Sequence, residues 1–179
     1  MLNDIEKVLI SREEIAAMTE SLGKKLSEDY KDKNPIMVCI LKGSSVFFAD
    51  LLREMSIQCR MDFMQASSYG DGTESSGSVK IIKDLDTNIK DRDVIIVEDI
   101  IDSGITLSRL VAELGKREPK SLEICTLLNK PARRKAHVDV KYKGCDIPDE
   151  FVVGYGLDYA EKYRNLKDVC ILKPEIYAK

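Results

Sequence analysis

Apolar residues along the chain fall into two rhythms. Ile15, Met18, Leu22 and Leu26 recur at helical spacing, which predicts an amphipathic helix running to about Tyr30. Its start is written locally: Ser11 and Glu14 have the spacing of a capping box, and Ile10 and Ile15 are placed to staple across it. A short strand is expected just before it, over 6–10. The other rhythm is the short unbroken apolar run. Segments 36–41, 94–97, 122–128 and 169–172 carry runs of this kind, as strands buried on both faces of a parallel sheet do. Segment 57–64 alternates like a strand, and 79–82 reads as its return. Helices are expected over 46–55 and 107–116, the second stopped by Pro119, and a short strand and bend over 148–156. Strands alternating with helices predict an α/β domain with a mainly parallel sheet.

Composition narrows the function. With 179 residues the chain forms one domain large enough for a real core. A formal net charge of −3 gives no global pull toward nucleic acid or an anionic membrane, so neither is expected as a partner. No run is long enough to span a bilayer and the first residues lack a secretory pattern, so a cytoplasmic location is expected. Cys39, Cys59, Cys125 and Cys170 lie in strand-like apolar stretches, and Cys145 in a polar turn beside Gly144. Their number is odd and no C-x-x-C pair occurs, which argues against a disulfide framework or a zinc site. His137 is the only histidine, which excludes a histidine cluster or triad.

The chemistry concentrates in residues 94–107, VIIVEDIIDSGITL. An apolar strand runs into Glu98 and Asp99; Asp102, Ser103, Gly104 and Thr106 follow, and then a helix begins. A small, hydroxylated turn entering a helix collects free N–H groups and the positive end of the helix dipole, which suits a phosphate. Three readings compete. The turn could simply cap the next helix, but close carboxylates then repel one another without a partner. A receiver domain also ends a strand in Glu-Asp, but near its N-terminus. The third reading is a phosphoribosyl-diphosphate site: Glu98 and Asp99 on the ribose hydroxyls and assisting Mg²⁺ through water, Ser103, Gly104 and Thr106 around the 5′-phosphate, Asp102 toward a base.

Elsewhere the signals are weaker. Lys42-Gly43-Ser44 follows a strand, but the order and the missing upstream glycine reject a Walker A loop; alone, Lys42 reads as a solvated turn lysine. Lys130 lies just past a strand, where lysine is usually surface charge. Arg133, Arg134 and Lys135 read most simply as a solvated face. The loop 67–78, SSYGDGTESSGS, is long enough to suggest a lid or a floppy hairpin tip.

The 94–107 stretch resembles the signature of type I phosphoribosyltransferases, and its EDIIDSG form resembles their hypoxanthine-guanine branch. ILKGS, MDF…SSYGDG, LLNKPARR, FVVGYGLDY and YRNL extend the similarity over nearly the whole chain. The resemblance implies a doubly wound core over about 30–130, a small purine-covering hood from the N- and C-terminal regions, and a lid at about 67–78. It implies transfer of 5-phosphoribosyl from PRPP to N9 of hypoxanthine and/or guanine, giving IMP or GMP and pyrophosphate, with Mg²⁺ as cofactor and a homodimer or homotetramer as the assembly.

Position by position, it implies Asp102 as the catalytic base toward N7, and Ile105 and Leu107 beside Ser103, Gly104 and Thr106 in the phosphate loop. Lys42, after a cis Leu41–Lys42 peptide, falls with Gly43 and Arg164 on the pyrophosphate, and Ser68 and Tyr69 on the lid. Lys130, Phe151, Val152 and Asp158 line the purine, through its O6, its ring face and its edge. Asp158 joins Glu98 and Asp99 at the metal. Two alternatives stay open: a nucleotide-sensing regulator that binds nucleic acid through Arg133, Arg134 and Lys135, and a transferase preferring xanthine or a pyrimidine.

Overall fold

The computed structural model describes residues 1–68 and 79–177. β1 (Ile5–Ile10) leads into the capping box, which forms as its spacing predicts: Ser11 Oγ accepts from the Glu14 N–H and the Glu14 carboxylate accepts from the Ser11 N–H. This opens α1 (Arg12–Asp29), whose Ile15, Leu22 and Leu26 are buried. There follow β2 (Ile36–Ile40), α2 (Ser45–Glu54), β3 (Arg60–Ser68), β4 (Val79–Lys83), β5 (Asp93–Ile101), α3 (Ile105–Gly115) and β6 (Ser121–Asn129). β7 (Tyr142–Asp146), β8 (Val152–Val153), β9 (Val169–Leu172) and α4 (Pro174–Tyr177) complete the described chain.

Six strands form a sheet in the order β4-β3-β2-β5-β6-β7, parallel except for the β3–β4 hairpin. A second, antiparallel sheet, β1-β9-β8, ties the first strand to the last two. All of β2 is buried, so it has no polar face. Its two-residue period sorts its side chains between two cores. Met37 and Cys39 pack with Phe47 and Leu51 of α2 and Leu22 and Leu26 of α1, while Ile36 and Val38 pack with Leu107, Leu110 and Leu114 of α3. β5 repeats the division, Ile95 and Val97 against Val94 and Ile96. Helices therefore cover both faces, the doubly wound arrangement.

The structure corrects several details. β3 begins at Arg60 rather than at 57, because its register is set by Ile36 of β2 lying opposite Arg60. β7 was not expected, and the central sheet runs on past residue 130 to include it. Tyr-Lys-Gly-Cys-Asp is a poor apolar run, yet Tyr142 is fully buried, with its hydroxyl donating to Asp29 Oδ2 at 2.7 Å. Cys145 accordingly lies in a sheet-edge strand and not in a polar turn. Over 148–156, regular pairing is confined to Val152 and Val153. No helix among the described residues is long and apolar enough to cross a membrane.

Candidate active site

The site opens where the sheet loses a neighbour. β2 pairs with β5 from Ile36 opposite Val94 to Cys39 opposite Val97, whereas β6 stays paired to Ile101 opposite Asn129. β5 is thus longer than its apolar run, and Glu98 and Asp99 lie within the strand. Beyond Val97, on the β2 side, sits the turn that follows β2. Its Leu41–Lys42 peptide is cis, as expected. A Cβ on Gly43 would collide with Asp99 Oδ2, so only glycine lets this turn lie against the acid.

The strand period turns the two acids to different sides. Glu98 lines a concavity of about 160 Å³ with Asp102, Ser103, Gly104, Thr106 and Leu107, and Asp99 faces the Gly43 turn. Burial raises the Glu98 carboxyl well above the usual carboxylate range, and Asp99 beside it adds to the rise. Burial also pushes Asp99 up to about 6. The Ile100 N–H, which donates to Asp99 Oδ1 at 2.8 Å, and the Arg164 guanidinium oppose that rise; Asp158 reinforces it.

The loop that follows β5 is built from two distant segments. Gly104 occupies the N-cap of α3 at φ +76° and has no side chain to cap with; in the first turn of Ile105, Thr106 and Leu107, the Ile105 N–H donates to Ser103 Oγ at 3.4 Å. A Cβ there would lie 2.8 Å from the Ala136 carbonyl oxygen. Ser103 O accepts from the Lys135 and Ala136 N–H groups at 2.9 and 3.1 Å, and Arg134 donates to Asn129 Oδ1 and Ile101 O. The basic cluster is therefore no simple solvated face: its backbone and Arg134 brace this loop from behind. Arg133, which sequence reasoning gave only to a solvated face or a nucleic-acid contact, lies with its NH1 3.7 Å from Asp102 Oδ2 and its Nε 3.6 Å from Asp149 Oδ1. Asp102 Oδ1 is buried without a hydrogen-bond partner among the described residues.

Lys130 is 5 % exposed, not a surface lysine. Its Nζ donates to Glu150 O at 2.9 Å and lies 3.9 Å from Asp149, while its N–H donates to Ile101 O. That tie joins the end of β5 to the segment entering β8. There Phe151 stacks on Tyr177 at 4.6 Å between centroids and meets Tyr159 edge-on, and Val152, buried, pairs with Ile171.

A second cluster lies on the Asp99 side. Arg164 donates through NH2 to Asp158 Oδ1 at 2.8 Å and through NH1 to Gly156 O at 2.8 Å. A Cβ on Gly156, which sits at φ +99°, would collide with Gly43 O, so the 154–164 segment packs directly on the Lys42–Gly43 turn. Lys42 Nζ donates to Glu161 Oε2 at 3.2 Å. Glu161 and Gly156 were not foreseen; nothing near them in the chain signals the contact. Ser68 ends β3, paired with Val79 of β4, and Tyr69 and the rest of the expected lid lie outside the described residues.

Glu98, Asp99 and Asp158 do not come together as a ready-made ion cage: among the described residues no three His, Cys, Asp or Glu side chains are grouped to hold a metal ion. The donors still suit Mg²⁺, which takes one or two carboxylates and completes its shell with water and substrate oxygens. Two adjacent carboxyls that burial raises above their ordinary range also favour a cation beside them.

A parallel α/β sheet wound on both faces, with acids and a helix N-terminus at the carboxyl end of a central strand, defines a ligand-binding domain of the doubly wound class. The chain belongs to the phosphoribosyl transferase domain family, whose model matches residues 6–160. It is 54% identical over 177 residues to a hypoxanthine-guanine phosphoribosyltransferase of Bacillus subtilis, covering 99% of this chain and 98% of that protein. It is 53% identical over 178 residues to the bifunctional protein TilS/HprT of Listeria monocytogenes, but spans only 28% of that longer protein. The crystal structure of a hypoxanthine phosphoribosyltransferase from Staphylococcus aureus superposes with a TM-score of 0.96 at 50% identity, covering 100% of this chain and 97% of that one.

Proposed function

We propose that this chain moves the 5-phosphoribosyl group of PRPP to N9 of hypoxanthine or guanine, giving IMP or GMP and pyrophosphate, as a cytoplasmic purine-salvage enzyme. The observation that carries the reading is Asp102 Oδ1, a buried acceptor with no partner among the described residues, just ahead of the N-terminus of α3. An orphaned buried oxygen calls for a visiting donor, and the N7–H of a purine is one.

In this reading the α3 amides and Ser103, Gly104, Ile105, Thr106 and Leu107 take the 5′-phosphate, and Glu98 and Asp99 accept from the ribose hydroxyls. Loss of pyrophosphate leaves positive charge on the anomeric carbon, and Lys42 and Arg164 stabilise the departing anion electrostatically. Mg²⁺ supplies further neutralisation of the diphosphate when bound; Asp99 and Asp158 would hold it, with Glu98 acting from the far side of the strand. Asp102 accepts or shares the N7 proton as the purine attacks.

Lys130 selects the base. One of its three protons is committed to Glu150 O, and another can be given to O6. An ammonium has nothing to accept a 6-amino group with, so adenine leaves buried polar groups unmatched. Phe151 offers its ring face to the base and Val152 its backbone. The small β1-β9-β8 sheet is the hood, Ser68 and Tyr69 open the lid, and the assembly is a homodimer or homotetramer.

The test is a PRPP-dependent transfer assay with hypoxanthine, guanine, xanthine, adenine and uracil, with and without Mg²⁺. Hypoxanthine and guanine should be consumed only with the metal, and adenine and uracil not at all. Faster use of adenine or uracil would remove Lys130 from its role and the reading with it.

A further inference from the structure

Glu161 stands between the two cations assigned above to the leaving group. Its Oε2 accepts from Lys42 Nζ at 3.2 Å and its Oε1 from Arg164 NH2 at 3.3 Å, so one carboxylate bridges both. The backbone aims it there: Ala160 and Glu161 take left-handed φ values of 50° and 61°, and the Glu161 N–H donates to Asp158 Oδ2 at 2.9 Å. Residues other than glycine adopt such values at a cost, and they concentrate where a side chain must be held for function.

We propose that Glu161 is the built-in counter-ion of the pyrophosphate cations, an affinity-setting residue that the diphosphate displaces on binding and that returns as pyrophosphate leaves. The inference rests on the transferase reading of the site. Physically it is ion exchange. A carboxylate offers two oxygens and one negative charge, whereas a diphosphate offers several oxygens and more charge to the same two cations, so the exchange favours the substrate. Glu161 is 65% exposed and Lys42 57%. Ion pairs this exposed are weak and break readily. Glu161 therefore lowers affinity for the diphosphate without blocking it, which assists release, a step that often limits turnover.

The experiment measures binding of inorganic pyrophosphate by titration calorimetry, with magnesium chloride present, to the wild type, Glu161→Gln and Glu161→Ala. With Glu161 neutralised or removed, Lys42 is released from that carboxylate and Arg164 keeps only the Asp158 carboxylate, so pyrophosphate should bind about threefold to tenfold more tightly in both variants. The Michaelis constant for PRPP should fall in parallel. A merely structural role would weaken binding in either variant or leave it alone, and an auxiliary metal-holding role would weaken it; each of these results overturns the inference. Transfer activity is measured in the same wild-type preparation. If that preparation is active and the variants bind no tighter, only the role of Glu161 is lost; if it transfers nothing to a 6-oxopurine, the function reading fails and this inference with it.

Discussion

Along β5, residues 94–97 and 98–101 belong to one strand yet serve opposite purposes. The first half has β2 on one side and β6 on the other, and Val94, Ile95, Ile96 and Val97 are fully buried between two layers of helix. The second half keeps β6 but has lost β2, and a turn held close by Gly43 takes its place. Where both edges are filled, the strand spends its side chains on packing. Where one edge opens, the same backbone carries two acids whose charge burial disfavours, and these are the groups the proposed reading gives to the ligand. Stability and chemistry are thus separated by a single step along one strand.

Substitutions in the first half and in the turn just beyond the second should part accordingly. Ile96→Ala should cost about 2–5 kcal/mol of unfolding free energy through lost burial and a residual cavity, measured by urea denaturation. Turnover per folded molecule should change little; a large fall in it would blur the division. Asp102→Asn should do the reverse, lowering kcat about a hundredfold or more with the melting temperature and PRPP binding largely kept. Near-normal turnover in that variant would take the proton from Asp102.

The acids themselves sharpen the contrast through pH. Asp99 has its folded pKa raised from 3.8 to about 6. The native state therefore binds more protons than the unfolded chain, and stability falls as pH rises from about 4 through 6. Asp99→Asn keeps the acceptor for the Ile100 N–H and removes the charge. Without divalent metal it should be more stable than the wild type at pH 7, on the order of 2–3 kcal/mol, with the advantage gone near pH 4. An advantage that persisted at pH 4 would mean that burial of charge is not its source. At the far edge of the sheet, Tyr142→Phe removes the hydroxyl that donates to Asp29 and also meets Tyr30 and should cost about 1 kcal/mol, with activity unchanged.

Much of this protein is legible in one dimension. The capping box of α1, the apolar runs of β2, β5 and β6, and the order of acids, small residues and helix over 94–107 are contiguous. Local physics acts on them directly: a cap, a buried strand and a helix N-terminus each need only neighbours in the chain. The cis peptide before Lys42 and the family came from motifs equally contiguous. What stayed hidden depends on residues far apart in sequence. β7 has a weak pattern because one buried tyrosine and an edge position suffice to hold it. Arg133 beside Asp102, Lys130 buried against Glu150, and Glu161 across Lys42 and Arg164 arise only when the ends of several strands meet. Sequence alone pointed to the stretch where acids, small residues and a helix start adjoin, because that follows from residue type and local conformation. Which charges face one another, and which lie buried without a partner, was decided by the tertiary structure, because Coulomb energy and desolvation depend on distance and burial rather than on order along the chain.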